Sequence, residues 1–219
     1  MLSITVIIII ITSLVSFVAF SNPEFMDKLI FYPPAVTEQK QYYRFITSGF
    51  IHADVPHLIF NMFSFYLFSD NLVEPKFTEL FGAYGKILFL AMYLMALVIC
   101  LLPTYFKNKD NSNYRSLGAS GAVSAVVFAG LLLSPLSLVG FFIIPPIIPG
   151  FIFGPLYLLL SYYLDKRQSD NINHSAHIWG ALFGVVFILI ASKLYSSEDV
   201  LGNFIESVKF YFKSKFNIG

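Results

Sequence analysis

Charge is what this sequence has least of. Of its 219 residues only 12% are Asp, Glu, Lys or Arg, against roughly 25% in a soluble domain. The 14 basic and 13 acidic residues nearly cancel, leaving a net charge of +1. That balance excludes a basic nucleic-acid-binding surface and gives no bulk field to steer an acidic partner. There is a single cysteine. One thiol excludes an internal disulfide framework and a multi-cysteine metal site. Cys100 stands in an apolar run and reads as a small buried hydrophobe. What is abundant is apolar surface: 57% of residues are hydrophobic, with 25 Phe and 13 Tyr. Mean hydropathy is +0.71. The composition defines a polytopic helical membrane protein, all-α, in which Phe and Tyr suit lipid contact and interfacial belts.

The gaps between charges mark the crossings, since a spanning helix needs about 20 largely apolar residues. Residues 2–21, 56–69, 87–106 and 171–192 each give one. Residues 116–164 hold no charge, with four prolines in the middle, and give two. The expectation is six transmembrane helices. The first apolar run lacks a basic leader and is too long for a signal-peptide core, so it reads as a retained helix. Residues 22–55 form a long connection, expected to lie partly among lipid headgroups. The unit thus runs over residues 1–194. Residues 195–219, with Lys209, Lys213 and Lys215 among aromatics, read as an amphipathic interfacial tail. No internal repeat argues for an inverted-repeat transporter, and the distribution of Lys and Arg does not fix the orientation.

Polar groups inside apolar spans are costly without partners, which makes them informative. Helix two opens with His57 and Asn61. Helix four opens with Gly118, Ala119, Ser120 and Gly121. Helix six opens with His174, His177, Trp179 and Gly180. Even-numbered helices run the same way, so these three clusters meet at one depth. Each alone reads as helix packing or a satisfied histidine. Together they supply a nucleophile, a base and oxyanion donors. His52, Asp54, Asn171 and Asn173 are expected to wet the mouth of the cavity. A zinc site built from the four histidines lacks a charge-balancing ligand in the spans, so no metal is expected.

In order, Tyr43-Arg44, the stretch from His52 through His57 to Asn61, Gly118-Ala119-Ser120-Gly121, and Ala176 to Gly184 resemble the rhomboid intramembrane serine proteases. The resemblance implies that Ser120 is the nucleophile and His177 the general base. His57, Asn61 and the Ser120 backbone N–H would hold the oxyanion. Gly180 and Gly184 would let helix six lie close to helix four, against Gly121 and Ala122. Tyr43-Arg44 matches a first-loop aromatic–arginine pair. The family implies a cytoplasmic N-terminus, no cofactor, membrane-helix substrates, and residence in a lipid bilayer, expected to be a bacterial inner or plasma membrane. Some members place a tyrosine four residues after the nucleophile, stacked on the base. Here that position is Ser124, so the base needs another support. No acid is found in the spans, which implies a Ser–His dyad. The alternative is an inactive relative that binds or dislocates membrane proteins.

Overall fold

A computed structural model describes residues 2–141, 144–167 and 172–216. It is a bundle of helices carrying one small hairpin. The first helix, α1 (Ile4–Ser21), is built inside out. Its buried face carries Thr5, Thr12 and Ser16 with Ile8 and Ala19, while Ile7, Ile11, Leu14 and Phe17 are exposed. Lipid is as apolar as leucine, so polar contacts rather than apolar burial tie helices together here.

Both ends of α1 are tied down by hydrogen bonds. At its start the Glu74 carboxylate accepts from the backbone N–H of Ile4 and Thr5, at 3.0 Å each, and from Thr5 Oγ1 at 2.7 Å. Thr5 Oγ1 also pairs with Ser69. A carboxylate at a helix N-terminus satisfies orphan donors and complements the dipole. At the other end Ser16 Oγ donates to the Phe50 carbonyl at 3.0 Å.

Residues 22–55 are folded rather than looped. They form three short helices, α2 (Pro23–Leu29), α3 (Pro33–Gln39) and α4 (Arg44–Thr47), which bury Phe31, Val36 and Phe45 against Cys100, Leu101 and Ala176. The second expected span is α5 (Val55–Phe68). Asp54 caps it by accepting the His57 N–H at 2.7 Å, and Pro56 sits in its first turn. A π-helical turn at Ser69–Val73 leads into α6 (Glu74–Phe81) and α7 (Gly85–Ile99). The third span, expected unbroken over residues 87–106, is interrupted at Cys100 and Leu101 before α8 (Leu102–Asn108). Pro103 is the cause, because its ring lacks an N–H and clashes with the carbonyl four residues back.

The fourth span is α9 (Ser120–Leu133), the fifth α10 (Gly150–Arg167), the sixth α11 (His174–Tyr195). Between α9 and α10 lies the little strand that this mostly helical bundle carries. Strands β1 (Leu138–Phe141) and β2 (Ile144–Pro149) pair antiparallel. Prolines at 145, 146 and 149 forbid a helix there, and a lone hairpin tolerates them at its edge. The tail forms α12 (Val200–Phe216), whose Tyr211 and Phe212 rest on Phe151 of α10. By length and composition, three helical stretches suffice to cross a bilayer: Ile4–Ser21, Val55–Asn108 and His174–Tyr195.

The tightest contact in the bundle is between α9 and α11. A Cβ at Gly180 would fall 2.0 Å from the Gly121 carbonyl oxygen, and one at Gly184 would fall 2.1 Å from that of Ala125. The expected approach to Gly121 is met, but the second partner is Ala125 rather than Ala122. Gly121 is itself hemmed in by Cys100, whose Sγ would lie 2.5 Å from an added Cβ. Cys100 is buried, as read from the sequence. Backbone atoms cannot yield as a flexible side chain can, so even Gly180→Ala or Gly184→Ala is expected to cost about 1–3 kcal/mol, the usual range for overpacking. Thermal melting in detergent measures this, and wild-type melting of both variants would refute the crossing.

Candidate active site

The site forms where the first turns of α5, α9 and α11 meet. Ser120 is the first residue of α9, so the N–H groups of its opening turn have no partner within the helix. The chain reaches it through Gly118, at φ +109°, a conformation that side chains rarely adopt. The Gly118 N–H is anchored to the Ser48 carbonyl at 2.9 Å. His177 lies in the first turn of α11. Asn173 caps that helix by accepting the Ala176 N–H at 3.1 Å. The same Asn173 accepts from Thr104 Oγ1 at 3.1 Å and donates to Ser116 Oγ at 3.4 Å, locking α11 to α8 and to the approach of α9.

These anchors bring His177 Nε2 to 2.8 Å from Ser120 Oγ. His57 stands beside the pair. Its ring packs on Gly118, where a Cβ would meet Cε1 at 2.9 Å. The Ala53 N–H donates to His57 Nδ1 at 3.4 Å. That assigns the ring proton to Nε2, the nitrogen turned toward Gly118. Asn61 is buried and donates one amide N–H to the His57 carbonyl at 3.1 Å, which leaves the other N–H of that amide.

Two clefts meet at Ser120. One, about 560 Å³, is lined by His57, Asn61, Gly118, Asn173 and His177. Liquid water takes roughly 30 Å³ per molecule, so this cleft admits water to Ser120. The other is an apolar groove between α5 and α10, lined by Phe60, Leu67, Val127, Phe128, Phe153 and Tyr157. Asn61, Ser120 and His177 line both.

Beside His177 stands Tyr157 of α10, a residue the sequence did not single out. Its Oη lies 3.2 Å from His177 Nδ1 and 3.4 Å from Ser124 Oγ. The two rings lie nearly parallel at 6.4 Å. Tyr157 sits in the uncharged run, 33 residues beyond Ser124 in sequence. No spacing rule points to it, and only the packing of α10 on α9 reveals it.

Tyr43 and Arg44 both lie in the first connection. Arg44 is buried and donates to the Asp27 and Ile30 carbonyls at 2.7 Å each and to Gln41 at 2.6 Å. It satisfies the end of α2 and holds the first connection together, away from Ser120. Tyr43 is exposed and its ring lies under the Arg44 guanidinium. Asp54 caps α5 and also lines the cleft at Ser120, and Trp179 is exposed. Asn171 lies outside the described residues. Among the described residues no cluster of His, Cys, Asp and Glu could hold a metal.

His52 was expected to wet the mouth, but it is fully buried. Since the Ser16 hydroxyl donates to Phe50, it accepts from His52 Nδ1–H, at 3.0 Å. The other nitrogen, Nε2, has no partner among the described residues. Burial, with His57 at 5.0 Å, pushes the His52 imidazole down to about 3. The unfolded chain therefore takes up a proton near pH 6.5 that the folded chain refuses. This contribution to stability is whole above pH 6.5 and is lost as pH falls toward 3. The melting temperature in detergent is expected to drop through that window. In His52→Gln, which retains a donor for Ser16, the drop should shrink; an equal drop in both proteins would assign it to other groups.

The fold is a helical bundle with long apolar helices, and it places a serine and a histidine in hydrogen-bonding contact at the foot of a polar cleft. Comparison narrows the class: the Rhomboid domain family model matches residues 39–194, and the chain belongs to the rhomboid family. It is 33% identical over 150 residues to presenilin-associated rhomboid-like protein A, mitochondrial, of Danio rerio, covering 65% of this chain and 36% of that protein. It is 30% identical over 150 residues to RHOMBOID-like protein 12, mitochondrial, of Arabidopsis thaliana, covering 64% and 44%. With Rhomboid-like protein 11, chloroplastic, of the same plant it shares 29% over 175 residues, covering 72% and 55%. The matched stretch is thus between about a third and just over half of each relative's length. The relatives' names refer to organelles, which does not fit the expectation of a bacterial membrane. Membrane residence itself is supported.

Proposed function

We propose that the chain is an intramembrane serine endopeptidase that cuts transmembrane helices with a Ser–His dyad. The observation that carries this reading is the 2.8 Å hydrogen bond from Ser120 Oγ to His177 Nε2 at the junction of a wet cleft and an apolar groove. The reading takes α1, α5, α7, α9, α10 and α11 as the six crossings, and α12 as a helix lying in the interface.

In this mechanism a substrate helix enters the groove and its scissile carbonyl comes to Ser120. His177 Nε2 takes the hydroxyl proton as Oγ bonds to the carbonyl carbon. The carbonyl π electrons move to oxygen. Negative charge then develops at the start of α9, where free N–H groups and the helix dipole favour it. His57 Nε2–H and the second Asn61 N–H add donors. The proton on His177 passes to the leaving amine, and the C–N bond breaks. Water from the polar cleft, deprotonated by His177, then releases the acyl group from Ser120.

Cleavage of a single-span substrate by protein in liposomes tests the reading. Ser120→Ala is expected to abolish cleavage and labelling by a fluorophosphonate, with melting close to wild type. Substrate binding that survives while neither protein cleaves would favour the non-catalytic alternative.

The proposed oxyanion donors predict a graded response. Losing one such donor costs about 10²–10³ in kcat. Asn61→Ala and His57→Ala should each weaken cleavage without erasing it, because backbone N–H groups remain. Both variants within twofold of wild type would leave these two side chains as packing residues.

A further inference from the structure

We propose that Tyr157 is a positioning residue that orients His177 from α10. The proposal rests on the protease reading above. For His177 Nε2 to accept the Ser120 proton it must be bare, which puts the ring proton on Nδ1. Nδ1 lies 3.2 Å from Tyr157 Oη, so Nδ1–H donates to the phenol oxygen. The phenol hydrogen is then directed to Ser124 Oγ at 3.4 Å. This fixes both the tautomer and the tilt of the imidazole.

The phenol is itself held. Tyr157 stacks on Phe153 with centroids 5.9 Å apart and lies against Phe128 at 5.8 Å. In soluble serine hydrolases a buried carboxylate commonly performs this task. At this depth a carboxylate is costly without a partner, whereas a phenol offers an acceptor with no charge. Ser124 is small, and that smallness admits the phenol from α10. The side chain that supports the base therefore comes from neither helix of the catalytic pair.

The test uses the full chain in liposomes, with a single-span substrate and a fluorophosphonate probe. Tyr157→Phe keeps the stacked ring and removes the oxygen. It is expected to lower kcat by about 3- to 10-fold, the range of one net hydrogen bond, with KM unchanged and probe labelling slowed in parallel. Tyr157→Ala should lower kcat by about 10²-fold, the lower range for loss of general-base assistance. Exchanging the two side chains, Ser124→Tyr with Tyr157→Ser, returns a phenol from α9 and should recover most of the lost kcat. A structural role alone would lower melting and spread the loss into KM. Wild-type kcat in Tyr157→Phe, or a loss carried by KM alone, overturns the proposal, whether or not the exchanged variant folds. Cleavage surviving in Ser120→Ala would instead overturn the protease reading itself.

Discussion

No side chain fits between α9 and α11 at Gly180 or Gly184, and the geometry of the site follows from that. Gly180 faces the backbone of Gly121, and Gly184 faces that of Ala125, at separations where a Cβ would sit about 2 Å from a carbonyl oxygen. Two helices locked this closely have one relative height and one rotation. Ser120 immediately precedes Gly121, and His177 lies almost one turn before Gly180. The contact that sets the crossing therefore also sets the distance from Oγ to Nε2. Small residues are the means by which helices approach in lipid, because dispersion and close backbone packing replace the hydrophobic effect there.

The remaining helices are tied by polar contacts at their ends. At one face of the bundle Glu74, Ser69 and Thr5 join α1 to the turn after α5. At the other face Ser16 joins α1 to His52 and Phe50, just before α5 begins. Asn173 does the same for α8, α9 and α11. Each of these groups would be expensive in hydrocarbon if left unpaired. The bonds are thus directional fasteners, and they hold α1 in register with a site to which it gives no proposed chemical group.

Much of this was legible in the sequence, because the bilayer imposes strong rules on composition. Charge gaps marked the helices to within a few residues, and helix parity put His57, Ser120 and His177 at one depth. What escaped depended on three-dimensional packing. Pro103 breaks the third span although hydropathy runs smoothly through it. The prolines after Pro135 read as a break, yet only pairing shows that they form a strand. His52 looked like a cavity-mouth residue because its neighbours Asp54 and His57 are polar, but Ser16, remote in sequence, draws it inside. Tyr157 carried no signal among many aromatic residues. Its partner on α9, Ser124, was informative only as a missing bulk.

Ser120 stands where a polar cleft and an apolar groove meet. On the proposed reading hydrolysis needs water and the substrate needs lipid, so the proposed nucleophile must be reachable from both without joining them. A helix N-terminus suits this place better than a helix interior. Mid-helix N–H groups are already bonded, whereas the opening turn of α9 presents donors with no helical acceptor. Starting the helix here requires the chain to turn sharply, which the positive φ of Gly118 allows, and requires the turn to be held, which the Ser48 carbonyl does. The imidazole of His57 then packs on the face where Gly118 lacks a side chain. One missing Cβ thus serves the turn and makes room for a proposed oxyanion donor, while the apolar groove on the far side of Ser120 stays lined by Phe and Val. A polar cleft and an apolar groove reach the same oxygen at one helix end.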